Sequence, residues 1–383
     1  MTARSIRLCE GYPMWPDAGK REIRILGDGC AALSLAARAK ELPSHQITLV
    51  RPKAAPPDGE HIWGFWGTDK TDIAGRIARA SWSRWAIVTS EGRAEMSSQT
   101  RPYFALRRSD WTAHCRQAAT EAGVAVLDDG NIEAAPAAQV FDSRPPRVPR
   151  GCMLQHFIGF EVRAPKPVFD PETVILMDFR VDQSQGMHFI YLLPFSATEA
   201  LVESTLFSAR TLDENFYTGA IDSYLQRYFD LTSFEILRRE RGVIPLATLP
   251  QRDPEIPGIG GNGGAIRPSS GYAFIFIQKQ VSEAIASAKR TGRLVVTSPH
   301  RQIDLWMDAV LLSVLRHWPE HAPDLFMRMA RALSGDEFAR FLSGEAGWGL
   351  RLKVVMAMPK WPFIRATLRL VTGRRGMSPV EAA

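Results

Sequence analysis

Cysteine is scarce in this chain of 383 residues, and the scarcity excludes two kinds of chemistry. The four cysteines, Cys9, Cys30, Cys115 and Cys152, are far apart and match neither a zinc-binding nor a redox-active spacing. We therefore expect ordinary reduced thiols, with no disulfide and no redox chemistry through sulfur.

Long apolar runs and nucleic-acid-binding motifs are also missing. No segment approaches the roughly 18 apolar residues that a membrane-spanning helix needs, and the N-terminus lacks a signal-peptide core. None of the familiar nucleic-acid-binding motifs occurs. His317 and His321 lie four residues apart, but Pro319 between them disfavours a helical metal pair. We therefore expect a cytoplasmic protein with no nucleic-acid partner and no bound metal.

Positive charge is concentrated near the C-terminus, although the net charge is only +6. The basic residues there are Arg351, Lys353, Lys360, Arg365, Arg369, Arg374 and Arg375. They alternate with apolar residues, a mixture that anionic lipid surfaces attract. A solvated basic tail would explain the same composition.

The chain after residue 20 has the pattern of a nucleotide-binding unit. Residues 21–26 favour a strand and residues 33–42 a helix, with a second strand after them. The turn between them reads Gly-x-Gly-x-x-Ala, with Gly27, Gly29 and Ala32 at the defining positions. Glycine lets the backbone approach a pyrophosphate, and the helix N-terminus offers N–H donors and positive potential. We predict that these three residues bind a dinucleotide.

Two residues depart from this fingerprint. Asp28 places a negative charge between the glycines, where it repels a phosphate unless its side chain turns away. Arg51 ends the second strand, where an acidic residue usually binds the ribose hydroxyls, and an arginine suits a phosphorylated ribose instead. The identity of the dinucleotide stays open at this point.

A second glycine cluster, residues 258–272, precedes the predicted helix 273–290. Its glycines allow the backbone to lie close to a flat ligand, and two such turns in one chain indicate a large dinucleotide. A flexible loop without a ligand is the alternative. We assign Gly263, Gly264 and Gly271 to the cofactor site.

Two more cofactor-binding candidates lie between the glycine clusters. Arg108 directly precedes the predicted helix 109–123. Asp142 ends a short strand in a turn, where a doubly wound sheet exposes its ligand face. A proline-rich break to Pro149 follows, so we place a domain boundary there.

An aromatic segment follows the proline-rich loop 52–59. His61, Trp63 and Phe65 fall within seven residues together with a second tryptophan, Trp66. Such a cluster can line an elongated apolar pocket, or it can form an aromatic plug under a loop.

The stretch from residue 154 is rich in short strands joined by turns, which indicates an antiparallel sheet. Residues 188–193 and 200–207 flank a Pro-Phe-Ser-Ala-Thr break and predict a hairpin. Glu203 is the one ionisable residue in its second strand. A carboxylate among aliphatic side chains must pair, titrate or face water, so Glu203 is either a candidate acid or a solvent-facing residue. For Glu240, farther along, we expect pairing with its arginine neighbours.

These patterns define an α/β fold with a Rossmann-like dinucleotide-binding domain, an inserted antiparallel sheet that binds substrate and a C-terminal helical region. The predicted parts are a lead-in at 1–20, the nucleotide-binding domain at 21–60, 95–150 and 236–300, the substrate sheet at 61–94 and 151–235, and the membrane-facing helical region at 301–383.

Nine motifs, taken together and in order, resemble those of the bacterial lycopene beta-cyclases. They are Gly27-x-Gly29, His61-x-Trp63-x-Phe65, Asp142-Ser143-Arg144, Gln155-x-Phe157-x-Gly159, Met177-Asp178, Phe189-x-Tyr191-x-Leu193-Pro194-x-Ser196, Leu201-x-Glu203-x-Thr205, Gly242-x-Ile244-Pro245 and the run from Gly263 to Tyr272. The resemblance extends from about residue 22 to the C-terminus.

The resemblance implies a flavoprotein that cyclises lycopene and gamma-carotene at a membrane surface. It implies reduced FAD as cofactor, NAD(P)H as electron source and no net electron transfer to the product. Glu203 matches the acidic residue implicated in catalysis. The substrate-facing positions are His61, Trp63, Phe65, Phe189, Tyr191 and Tyr272. A peripheral location on the inner membrane, facing the cytoplasm, follows from the same resemblance.

Two other functions fit the same residues. A redox flavoenzyme, either a hydroxylase or an isoprenoid reductase, can use the same fold. A carotenoid-binding protein that has lost catalysis is conceivable because of Asp28 and Arg51.

Overall fold

The computed structural model describes residues 19–52, 59–128 and 138–375, with side chains up to residue 372. Most of the predicted lead-in and of the proline-rich loop lies outside the described residues. The strands are β1 (Arg21–Leu26), β2 (His45–Arg51), β3 (Ile62–Trp66), β4 (Ala80–Trp82), β5 (Arg84–Thr89), β6 (Gly92–Ser97), β7 (Tyr103–Arg107), β8 (Ala125–Asp128), β9 (Gln139–Asp142), β10 (Met153–Arg163), β11 (Thr173–Asp178), β12 (Met187–Pro194), β13 (Glu199–Ser208) and β14 (Glu235–Leu246). The α-helices are α1 (Cys30–Ala36), α2 (Asp72–Ile77), α3 (Arg108–Glu121), α4 (Glu214–Phe229), α5 (Phe274–Thr291), α6 (Gln302–His317), α7 (Ala322–Ala332), α8 (Gly335–Leu342), α9 (Trp348–Ala357) and α10 (Lys360–Arg375).

A parallel sheet, with strand order β8-β2-β1-β9, forms the nucleotide-binding half of the molecule. Ile23, Arg24 and Ile25 are all buried, because a parallel sheet is covered on both faces. Gly27 has a φ of +104° and turns the chain from β1 into the helix. The predicted strand–turn–helix order is therefore confirmed. Helix α1 ends at Ala36, earlier than predicted, and a short 3₁₀ turn follows it.

A larger sheet, with strand order β14-β10-β13-β12-β11-β5-β6, is antiparallel except between β11 and β5. Strands β12 and β13 form the predicted hairpin. Strand β14 pairs with β10 along its length, so the prediction that residues 236–246 return to the first domain is wrong. The alternation of apolar and polar residues identifies a strand, but the strand with which it pairs depends on long-range packing. The predicted boundary at residue 95 falls inside β6 for the same reason.

A small sheet, with strand order β3-β7-β4, lies beside helix α5. The predicted substrate sheet includes β3 and β4, but both strands pair with β7 in this separate sheet. This sheet brings the aromatic segment at Trp63 and Phe65 opposite the large sheet.

The C-terminal helices pack over the large sheet and are held by buried ion pairs on α6. Asp304 binds Arg351 of α9 at 2.7 Å, and Asp308, one turn later, binds Arg267 of the second glycine cluster at 3.2 Å. Arg351 is therefore buried, which corrects its assignment to a basic surface. Within the described ranges, no helix combines the length and apolar character needed to cross a bilayer.

Candidate active site

A cavity of about 870 Å³ lies between the two antiparallel sheets, helix α5 and the C-terminal helices. Most of its wall consists of aliphatic and aromatic side chains. The structure brings Glu203, Gly271 and all six predicted substrate-binding residues to this wall. Those six are His61, Trp63, Phe65, Phe189, Tyr191 and Tyr272.

Glu203 reaches the cavity from β13 and is only 8% exposed, so it does not face bulk solvent. Thr205 Oγ1 donates a hydrogen bond of 2.5 Å to Glu203 Oε1. Burial, followed by the nearby carboxylate of Glu240, raises the pKa of Glu203, and the Thr205 hydrogen bond opposes the rise. The net increase favours the protonated form near neutral pH, which a general acid requires.

Three tyrosines line the cavity together with Glu203. The hydroxyls of Tyr103 and Tyr191 are 2.9 Å apart, and Tyr272 packs with Tyr103 around the ring of Trp66. Burial raises the pKa of each of the three phenols. They therefore add polar hydroxyls to the cavity without adding charge.

Gly64 of β3 makes room for these hydroxyls. A Cβ at this position would lie 2.5 Å from Tyr191 Oη and would overlap Tyr103 Oη. Because the two hydroxyls bind each other and Tyr103 is buried, neither phenol can move away freely. We expect Gly64→Ala to lower the free energy of unfolding by roughly 1–3 kcal/mol, as overpacking usually does, measured by chemical denaturation.

Gly219→Ala provides the matched control, because a Cβ at this position in α4 meets nothing within 4 Å. The control should be neutral or stabilising by roughly 1 kcal/mol or less. Equal stability of the two variants would contradict the proposed crowding at Gly64.

The aromatic segment of β3 forms the end of the cavity next to α5. The ring of Trp63 stacks on Phe274 with centroids 5.2 Å apart, and Phe65 contacts the same ring at 4.9 Å. Burial lowers the pKa of His61, so this histidine is neutral. The segment is therefore a strand that lines the cavity rather than a plug under a loop.

The two glycine clusters meet at the start of α1. Gly260, with a φ of +68°, packs directly on Ala31, where any Cβ would overlap. A Cβ at Gly263 would lie 2.6 Å from the carbonyl oxygen of Gly258. Gly29 instead faces open space, and the α1 N-terminus that it caps receives no side-chain hydrogen bond. This open, glycine-lined turn fits the diphosphate of a dinucleotide such as FAD.

The two departures from the dinucleotide fingerprint compensate each other. Arg51 Nε lies 3.0 Å from Asp28 Oδ2, and a second arginine, Arg116, lies 3.6 Å from the same oxygen. The negative charge of Asp28 is thereby offset, so it presents a smaller obstacle to phosphate than the sequence indicates.

The remaining predicted cofactor residues lie close to this turn. Ala32 is fully buried, which permits tight helix–sheet packing. The charge of Arg108 acts on Cys30, the first residue of α1, although burial dominates there and raises the pKa of that thiol to about 12. Gly264 has a φ of +77° in the second cluster.

Asp142 is completely buried, and both its carboxylate oxygens accept hydrogen bonds of 2.9 Å from Arg144. Its carbonyl oxygen accepts hydrogen bonds from Ile259 N and from Asn262 Nδ2. Asp142 therefore joins β9 to the second glycine cluster, and its direct contact with a cofactor stays a prediction.

Three residues at the site had no predicted role there: Tyr103, Gly159 and Glu240. Of the three, only Gly159 belongs to one of the nine motifs. Glu240 does lie 3.6 Å from Arg238, but its charge also acts on Glu203. The sequence of one strand does not show which residues of the neighbouring strands lie opposite it.

The overall fold is that of flavin-dependent enzymes. A geranylgeranyl bacteriochlorophyll reductase-like protein from Thermoplasma acidophilum superposes with a TM-score of 0.58 at 11% identity, covering 91% of this chain and 99% of that one. A flavin-dependent brominase superposes with a TM-score of 0.54 at 15% identity, covering 92% and 100%. At these identities the similarity concerns the fold alone.

The family is more specific than the fold. The family described as "Lycopene cyclase protein" matches residues 22–368, so the chain belongs to the lycopene cyclase family. A lycopene beta-cyclase from Pantoea ananas is 25% identical over 394 aligned positions, covering 92% of this chain and 99% of the relative. One from Paracoccus sp. is 29% identical over 287 positions, covering 68% and 71%.

Proposed function

We propose that this protein is a lycopene beta-cyclase, which closes the psi ends of lycopene into beta rings. Membership of the family and the names of its relatives support this function. The observation that carries it is the burial of Glu203 in an apolar, aromatic cavity, with a pKa that burial raises.

The reaction suits such an acid. Glu203 gives a proton to the terminal double bond of the psi end, and the neighbouring double bond attacks the resulting tertiary cation. A carbon-bound proton then leaves as the ring double bond forms, so one proton enters, one leaves and no electrons are exchanged. Because an alkene is a very poor base, the acid must hold its proton in a dry site where no water competes for that proton. The first ring gives gamma-carotene, which is the substrate for the second closure.

Aromatic faces around Glu203 can stabilise the cation. Trp63, Phe189 and Tyr191 line the same cavity, and each ring face contributes roughly 0.5–2 kcal/mol toward a nearby positive charge. A neutral phenol such as Tyr191 can stabilise the cation in this way without taking the proton that Glu203 donates.

We propose reduced FAD as the cofactor, with NAD(P)H as the source of its electrons. Gly27, Gly29 and the α1 N-terminus would hold the diphosphate, and the second glycine cluster would approach the flavin ring system from the side of Gly271. The reduced flavin, when bound, supplies negative charge that stabilises a nearby cation.

The C-terminal helices support a peripheral membrane location. Trp348, Leu352 and Met356 recur every four residues on α9 and are between 62% and 72% exposed. Trp361 continues this apolar face on α10, where Arg365 stacks on its ring. We call these four apolar residues the C-terminal apolar face. An exposed apolar surface flanked by basic side chains suits an anionic bilayer, here the cytoplasmic side of the inner membrane.

The cavity opens toward the same helices. Trp306, Ile364 and Leu368 line the cavity and are also exposed. A carotenoid dissolved in the bilayer could therefore pass into the cavity without crossing water.

The test of function is turnover of lycopene by the purified protein with FAD and a reductant, with the products separated by chromatography and weighed by mass spectrometry. We expect rings to form without a change in mass, and none when the reductant is omitted. A product heavier by hydrogen or oxygen would identify a reductase or hydroxylase instead. Lycopene that is bound but unchanged would identify a carotenoid-binding protein.

A further inference from the structure

A second buried carboxylate lies beside Glu203, across a glycine. Strand β10 runs between β13 and β14, and its Gly159 is opposite Glu203 on one side and Glu240 on the other. Residues directly opposite in a sheet point to the same face. Both glutamates therefore rise from the sheet on the face of the cavity, with only a glycine between them.

The missing side chain at Gly159 is what lets the two glutamates approach. A Cβ at this position would lie 3.1 Å from Glu240 Cγ and 3.4 Å from Glu203 Cβ. Any larger residue would separate the two carboxyl groups.

The two carboxyl groups have different surroundings. Glu240 Oε2 accepts a hydrogen bond of 3.2 Å from the backbone N–H of Ile62 and lies 3.6 Å from the guanidinium of Arg238. Glu203 has a hydroxyl donor, Thr205, and no arginine within ion-pair distance among the described residues. The negative charge of the pair is therefore better stabilised on Glu240, and a shared proton is better placed on Glu203.

We propose that Glu240 is a positioning residue for cyclisation, whose negative charge across Gly159 keeps the proton on Glu203. The proposal rests on the proposed function, because it assigns Glu203 the role of acid. Glu240 is not among the described residues that line the cavity, so it acts through Glu203 rather than on the substrate.

Repulsion between the carboxylates of Glu203 and Glu240 explains why one of the two groups retains a proton. Burial raises the pKa of both carboxyl groups, and the charge of Glu240 raises that of Glu203 further. The other charged or titratable groups facing the pair are Arg238, Glu161 and Glu60 around Glu240, and Tyr191 and Tyr272 around Glu203.

The same repulsion completes the proton balance of the reaction. Once Glu203 has given its proton to the alkene carbon, two buried carboxylates face each other across Gly159. The ionised Glu203 is then a stronger base than an isolated glutamate, so it can take up the proton that leaves when the ring double bond forms. Glu203 ends the cycle protonated, and Glu240 exchanges no proton with the substrate.

The test is the pH profile of cyclisation in Glu240→Gln. Activity needs protonated Glu203, so in the unmodified protein it falls as pH rises through the raised pKa of this group. Removing the neighbouring charge lowers that pKa, and the fall should move to lower pH by roughly one unit. At alkaline pH this is a loss of about tenfold relative to the unmodified protein. Activity below the fall should be similar.

Two matched variants separate charge from structure. Glu240→Asp keeps the charge and should restore the original profile. Glu235→Gln removes an exposed carboxylate from the same strand and should leave the profile unchanged. A Glu240→Gln enzyme that is slower at every pH with an unmoved profile would overturn the proposal.

Infrared titration of the carboxylic acid band provides a readout without turnover, with Glu203→Gln identifying the band of Glu203. We expect this band to disappear at lower pH in Glu240→Gln than in the unmodified protein. An unmoved band would refute the positioning role even if lycopene were not the substrate. Absence of cyclisation with a shifted band would instead refute the proposed function alone.

Discussion

Replacing Glu203 with glutamine should abolish ring formation while the protein stays folded and keeps its flavin. Glutamine preserves the size of the side chain and can still accept the hydrogen bond from Thr205. It has no acidic proton, and loss of a general acid typically costs roughly 10²- to 10⁴-fold in rate. The measurement is the carotenoid content of a lycopene-accumulating bacterium that expresses the variant, scored by chromatography and confirmed with purified protein.

Glu199→Gln is the matched control for this experiment. Glu199 begins the same strand, but it is partly exposed and binds Arg163 at 2.9 Å. We expect this variant to form beta rings normally. Near-normal cyclisation by Glu203→Gln would remove Glu203 from the mechanism.

We expect polar substitution of the C-terminal apolar face to weaken the proposed binding to membranes. Its four residues, Trp348, Leu352, Met356 and Trp361, are exposed and are not among the described residues that line the cavity. Each would contribute roughly 1 kcal/mol on insertion into a bilayer. Changing all four to serine should weaken binding at least ~100-fold, measured by co-sedimentation with vesicles of phosphatidylethanolamine and phosphatidylglycerol. Cyclisation in detergent should persist.

Val148→Ser combined with Val295→Ser serves as the control for this surface. Both valines are exposed but lie outside α9 and α10. Vesicle binding should be retained in the control. Unchanged binding by the fourfold serine variant would show that another surface contacts the lipid.

Local sequence patterns were sufficient for the elements that local interactions determine. The turn at Gly27 follows from the need for positive φ between a strand and a helix. The β12–β13 hairpin follows from two apolar runs around a break that contains Pro194. Helix α4 begins where Asp213 accepts a hydrogen bond from the backbone N–H of Asn215, the local interaction that aspartate commonly makes at a helix start.

Strand partners and their consequences required the structure. The burial of Glu203 could not be decided from its own strand, because neighbouring strands and helices cover it. Glu240 illustrates the same limit. Its sequence neighbours Arg239 and Arg241 point to the opposite face of β14, whereas Arg238, two residues away, lies on its own face. Sequence proximity therefore indicated the wrong arginines.

The buried ion pair between Asp304 and Arg351 has a practical consequence for handling the protein. Turning the exposed side of α9 inward would pull Arg351 away and leave the buried Asp304 carboxylate without its partner, at a cost of roughly 3–5 kcal/mol. The apolar outer side of α9 therefore stays exposed in water. We expect lipid-free preparations to self-associate through this side, and mild detergent to restore single particles.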